Sequence, residues 1–169
     1  MDSCCSTDGR TTPEARAAAE RCPSCGSKGL SVDPVTLKAL LTSKAFRRGV
    51  PPAPRFCATA SCPVVYFDNG VPITFAEHEL TTPVHAKHPE NEEVPVCYCF
   101  GYTPRDIREE IIRTGSSGIS KTVKAEVAAG HCACEVRNPK GACCLGDIAN
   151  SEKRIQSDLA VTSTQRERT

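Results

Sequence analysis

Twelve cysteines in 169 residues constrain this chain more than any other feature, because a chain so rich in thiols is held together by disulfides or by metal ions. They come in sets rather than scattered. Cys4 and Cys5 are adjacent, Cys22 and Cys25 form C-x2-C, Cys57 and Cys62 form C-x4-C, and Cys97 and Cys99 form C-x-C. The stretch "HCACEVRNPKGACC" adds Cys132, Cys134, Cys143 and Cys144. Such staples are needed here. Aromatic residues make up only 5% of the chain and Trp is absent, so the core is modest and small cores call for cross-links or metals.

The compartment decides between the two kinds of staple. "MDSCCSTDGRTTPEARAAAERC" has no signal-peptide pattern, and no segment has the length and apolarity to span a bilayer. The expectation is a soluble, cytoplasmic protein without membrane insertion, and in reducing cytosol grouped cysteines read as metal ligands or catalytic groups. A formal net charge of +1 gives no electrostatic basis for nucleic-acid binding.

The spacing divides the chain. Residues 1–20 are polar and read as a disordered tail, 21–80 as a small α+β module, 81–95 ("TTPVHAKHPENEEVP" and its surroundings) as a connector, 96–150 as a helical module and 151–169 as a polar tail with at most a short helix. In the first module Asp33 and Pro34 predict a helix start in "DPVTLKALLTSKAF". "PVVYFDNGVPITF" predicts a hairpin turning at Asp68-Asn69-Gly70. In the second, Thr103, Pro104 and Asp106 open a helix that Gly115 closes, and a second helix starts at Ser120 and stops at Gly130.

Cys22, Cys25, Cys57 and Cys62 make a zinc ligand set: two short loops offering four soft thiolates suit a tetrahedral ion, and no position is left open for water, so the metal is structural. Cys97 and Cys99 are too tightly spaced for a usual zinc loop. Two more thiolates returning after the helix pair would complete a binuclear iron–sulfur site, for which four thiolates are the standard donor set. The return segment offers Cys132 or Cys134 and Cys143 or Cys144, and spacing alone does not choose. "NPKG" between them is a tight turn, with Pro139 fixing φ and Gly141 permitting a positive one. His131 abuts the second cysteine set and could in principle replace a thiolate, but the four cysteines are better placed as ligands; His78, His85 and His88 have no convincing ligand spacing and read as solvated surface residues.

"PVCYCFGYTPRDIREEIIRTG" resembles the start of bacterioferritin-associated ferredoxin domains. Together, "RCPSCG", "FCATASCPVVYF", "PVCYCF" and "NPKGACC" stand in the same order as the motifs of the N-terminal zinc and [2Fe–2S] region of CopZ-type copper chaperones, across residues 20–148. The resemblance implies an α+β chain: a small zinc-binding α+β module followed by a helical [2Fe–2S] module of the bacterioferritin-associated ferredoxin type. It implies Zn2+ on Cys22, Cys25, Cys57 and Cys62, and a cluster on Cys97, Cys99, Cys134 and Cys144, leaving Cys132 and Cys143 as neighbours. The family also carries a heavy-metal-binding domain with an M-x-C-x-x-C loop, which this sequence lacks, its single Met being Met1.

The expected function is that of a metallochaperone-like protein in copper or other soft-metal handling, with a redox-active cluster; the alternative is a ferredoxin-like electron-transfer partner with a structural zinc. Expected partners are a soft ion such as Cu(I) or Hg(II), for which the vicinal Cys4 and Cys5 are the candidate pair, the alternative being a tail with incidental thiols, and a redox or metal-transport protein. No substrate pocket is legible, so the chain is not read as an enzyme.

Overall fold

A computed structural model of the chain describes residues 18–166, with side chains described as far as Val161. Two main hydrophobic cores follow one another along it, with a small cluster of Cys22, Cys57, Cys62 and Phe67 beside the first and Cys97 and Cys144 within the second. The first belongs to a four-stranded antiparallel sheet, β1 (Leu30–Ser31), β2 (Arg55–Phe56), β3 (Val64–Asp68) and β4 (Ile73–Ala76), in sequence order. Leu30 stands opposite Phe56, Phe56 opposite Tyr66, and Tyr66 opposite Phe75. The β3–β4 hairpin turns at the expected Asp68-Asn69-Gly70, where the Asp68 carboxylate accepts hydrogen bonds from the Gly70 N–H (2.8 Å) and the Ala53 N–H (3.0 Å).

Helix α1 (Pro34–Leu40) starts as predicted: the Asp33 side chain accepts from the Val35 N–H at 2.8 Å and Pro34 takes the first turn. It is shorter than the apolar pattern through Phe46 implied. At Leu41 the backbone turns extended and pairs with Leu80, the Thr42 N–H donates to the Glu79 carbonyl, and Thr42 then caps a separate one-turn helix, α2 (Ser43–Phe46). Strand-like pairing to residues 79–81 outcompetes another turn of helix.

The second core is helical. Helix α3 (Pro104–Thr114) begins with a complete capping box, Thr103 Oγ1 accepting from the Asp106 N–H and Asp106 Oδ2 from the Thr103 N–H, and ends at Gly115 with φ +85°. Helix α4 (Ile119–Ala128) starts one residue before the predicted Ser120, because its free N–H groups are met from outside: Glu152 Oε1 accepts from the Ser120 N–H at 2.9 Å. After the one-turn α5 (Cys134–Arg137) comes α6, Leu145–Arg166. Most of the segment 151–169 expected to be a tail with a short helix is therefore part of a 22-residue helix. Ile148 and Ile155 are fully buried and Leu159 packs beside them, a stripe one and two turns apart that lies against α3 and α4.

The connector 81–95 packs closely. Val84 and Val94 are buried, Glu77 Oε1 accepts from the Val84 N–H at 2.7 Å, and the Tyr98 hydroxyl donates to the Pro83 carbonyl while accepting from the His85 N–H. Among the described residues no helix is long and apolar enough to cross a membrane.

Candidate metal centres

The loop around Cys22 folds back tightly: the Cys22 N–H donates to the Ser27 carbonyl and the Gly26 N–H to the Cys22 carbonyl, both at 2.8 Å, with Gly26 at φ +72°. Cys57 follows β2 directly and its N–H donates to the Val65 carbonyl at 2.8 Å. Cys62 closes the next turn, donating from its N–H to the Thr59 carbonyl. Lys87 Nζ holds this turn from the connector side, donating to the carbonyls of Thr59 and Val64 at 2.8 Å each.

These elements bring the four Sγ atoms of Cys22, Cys25, Cys57 and Cys62 within 4.8 Å of one another. The Cys22–Cys62 and Cys25–Cys57 sulfurs are 3.8 and 3.6 Å apart. A zinc–sulfur bond of about 2.3 Å gives a tetrahedron with edges of about 3.8 Å. The donor set fits zinc in identity, number and spacing.

The thiols differ sharply before a metal is added. Burial pushes Cys22 up to about 12 and also raises Cys57, whereas the exposed Cys25 is held down to about 5 by its hydrogen bonding with the Ser27 side chain and backbone and with the Thr59 hydroxyl. A bound cation offsets the cost of ionising the buried thiols.

The second set is arranged differently. Cys97 and Cys99 lie on a tight loop in which the Gly101 N–H, at φ +75°, returns to the Cys97 carbonyl, and the Val96 and Cys97 N–H groups donate to the Tyr102 carbonyl. Opposite stand Cys134, at the start of α5, and Cys144, whose carbonyl takes the first bond of α6 from the Ile148 N–H. The two arms meet through their sulfurs: Cys99 and Cys134 are 3.7 Å apart, and Cys97 and Cys144 are buried together in the helical core. The Ala133 N–H also donates to Cys99 Sγ at 3.3 Å.

Cys97 and Cys144 are both buried, and their mutual interaction raises Cys144 while lowering Cys97 to about 6. Burial pushes Cys134 up to about 12. Cys132 is half-buried and Cys143 exposed; both face Cys134 closely enough to act on its charge. Cys4 and Cys5 lie outside the described residues.

The histidines depart partly from the surface reading. His131 is exposed and pairs with Glu126 at 2.7 Å, and His88 bonds Glu77. His85, by contrast, lines a cleft of about 340 Å³ between the two modules with Val96, Tyr98, Pro139 and Lys140. Its Nδ1 is the one buried side-chain nitrogen or oxygen without a partner among the described residues. Nothing in the connector's polar composition signals that this ring turns inward. Lys140 is paired with Asp147.

The geometry has counterparts. A family described as "Zinc binding domain", of the CopZ type, matches residues 19–81. The chain is 35% identical over 147 residues to the copper chaperone CopZ of Archaeoglobus fulgidus, covering 83% of this chain and 69% of that protein. It also resembles the X-ray structure of the Archaeoglobus fulgidus CopZ N-terminal domain, with a TM-score of 0.63 and 32% identity over 77% of this chain and 95% of that one.

Proposed function

The chain belongs to the CopZ family, and from that membership we propose that it handles a soft metal ion, with Cu(I) as cargo, using a zinc ion on Cys22, Cys25, Cys57 and Cys62 and a [2Fe–2S] cluster on Cys97, Cys99, Cys134 and Cys144. The zinc is structural, since four protein thiolates leave no coordination position for a substrate.

One observation carries the cluster reading. The second set joins the C-x-C arm to the return arm twice: the Cys99 and Cys134 sulfurs are 3.7 Å apart, and Cys97 lies in one buried core with Cys144. A single tetrahedral ion needs all four sulfurs together, whereas two linked ions need two pairs. Cys97, Cys99, Cys134 and Cys144 would supply the four thiolates of such a cluster. When bound, such a cluster supplies one-electron transfer, here to reduce Cu(II) to the Cu(I) that thiolates prefer. The chain's part is to keep the four sulfurs fixed and largely dry: Cys97, Cys134 and Cys144 are each 7% exposed or less, while Cys99 is the more open edge.

The test is anaerobic metal and acid-labile sulfide analysis of the full chain, with electron paramagnetic resonance after reduction. One zinc, two irons and two sulfides per chain are expected; zinc at both sites, with no sulfide, overturns the cluster. Cu(I) titration against a Cys4→Ser/Cys5→Ser double variant then tests delivery. Uptake lost in the variant supports a chaperone acting through that pair, and no uptake by the parent leaves electron transfer alone.

A further inference from the structure

The zinc module reaches across to the arm that carries Cys134 and Cys144. Thr36, fully buried on α1, donates from its hydroxyl to the Glu135 carbonyl at 2.6 Å, one residue from Cys134. Tyr66, fully buried on β3, donates from its hydroxyl to the Pro139 carbonyl at 2.6 Å, in the turn between the two cysteines. Gly141 lies so close to α1 that a Cβ there would sit 2.9 Å from Thr36 Oγ1 and 3.0 Å from Val32 Cγ1. The turn itself is stiff, with Asn138 bonded to the Ala142 carbonyl and the Lys140 N–H.

Both donors trace back to the zinc ligands. Tyr66 pairs with Phe56, the residue before Cys57, and the next carbonyl back along β3, that of Val65, accepts from the Cys57 N–H. Phe67 packs directly against Cys22, Cys57 and Cys62. Thr36 sits on the helix whose Leu37 shares the same core as Tyr66 and Phe56. A shift of the Cys57–Cys62 loop would therefore move β3, and with it the hydroxyl that fixes the Pro139 turn.

We propose that the zinc module is a clamp on the second metal site, with Tyr66 and Thr36 as positioning residues that hold the Cys134–Cys144 arm against the Cys97–Cys99 loop. This rests on the cluster reading above. Its consequence is thermodynamic: zinc occupancy and cluster retention are coupled, and coupling between two binding equilibria is reciprocal. Zinc slows loss of iron, and a loaded cluster tightens zinc.

The variants Tyr66→Phe and Thr36→Val remove only a hydroxyl each and leave shape and all twelve thiols in place, while Thr36→Ser restores the donor. Iron release from the full, loaded chain to bathophenanthroline is measured with zinc content and the paramagnetic spectrum of the reduced cluster. Release about fivefold faster for each hydroxyl removed is expected, the factor corresponding to one net buried hydrogen bond. Zinc stoichiometry should remain at the parental value, the spectrum should shift, and Thr36→Ser should release iron at the parental rate. Parental release rates and spectra in both hydroxyl-free variants overturn the clamp alone. A parent without iron and sulfide overturns the cluster reading and the clamp with it.

Discussion

Replacing Gly141 by Ala perturbs the contact between the modules at its tightest point. Gly141 has φ +65°, a conformation costing an L-residue about 1–2 kcal/mol. Its new Cβ would also meet Thr36 Oγ1 at 2.9 Å and Val32 Cγ1 at 3.0 Å. Thr36 cannot give way freely, because its hydroxyl is bonded to the Glu135 carbonyl and the residue is fully buried. Overpacking at such a site adds about 1–3 kcal/mol, for about 2–5 kcal/mol in all. Gly130, with φ +77° and nothing within 4 Å of the place a Cβ would occupy, is the matched control. Gly130→Ala carries the backbone cost alone, about 1–2 kcal/mol. Thermal unfolding of both variants at equal metal content separates the two contributions, each kcal/mol being about 2–4 °C in Tm for a chain of this size. Gly141→Ala should melt well below Gly130→Ala. Equal melting points would mean that the close approach of the Gly141 turn to α1 does not restrict the chain, and the argument would fail.

Cys57→Ser should abolish stoichiometric zinc binding and loosen β2 and β3, read by metal analysis and by faster amide exchange in residues 55–68, since the serine hydroxyl is a poor substitute for a soft thiolate. Ile107→Ala, at a fully buried position in the helical core, should cost about 2–5 kcal/mol in urea unfolding. His85 supplies a pH test. Burial, the largest influence, and then Arg154 and Lys140 hold its imidazole below the ordinary value, against an opposing pull from Asp147. The unfolded chain therefore binds that proton more readily, so His85 contributes stability above about pH 6.5 that is lost as pH falls toward the lowered folded value. Denaturation at pH 7.5 and 5.5 should show a smaller drop for His85→Gln than for the parent; an equal drop assigns the acid sensitivity elsewhere.

Local chemistry was legible where a residue acts on its own backbone. Asp33, Thr103, Gly115 and the Asp68-Asn69-Gly70 turn all do what their side chains or φ preferences dictate. The four sulfurs of the first set could likewise be grouped from two short spacings, because each loop's geometry is local and only their meeting is not. What sequence did not reveal depends on distant partners. Leu41 abandons the helix for Leu80, Glu152 caps a helix from another, and α6 continues through polar residues because Ile148, Ile155 and Leu159 find a groove. Tyr66 and Thr36 carry no signal in the sequence, since nothing in a lone Tyr or Thr announces a hydroxyl bonded to a carbonyl in another module. Gly141 was marked as a turn glycine, but its packing against α1 adds a second reason that no turn pattern encodes.

The spans of chain that these contacts close also order the folding reaction. The sulfur pairs join residues 40, 32 and 35 apart in sequence, whereas the Tyr66 and Thr36 hydroxyl bonds join residues 73 and 99 apart. For an unfolded chain, closing the longest of these loops rather than a 35-residue one costs about 0.9 kcal/mol more in entropy. The two sulfur-closed stretches are consecutive and do not interleave, so neither must thread through the other. The first module can collapse on its own contacts while the second is still being synthesised, and the hydroxyl bonds then draw the Cys134–Cys144 arm of the second onto it. The same ordering run backwards makes the seam between them the first part of the molecule to open.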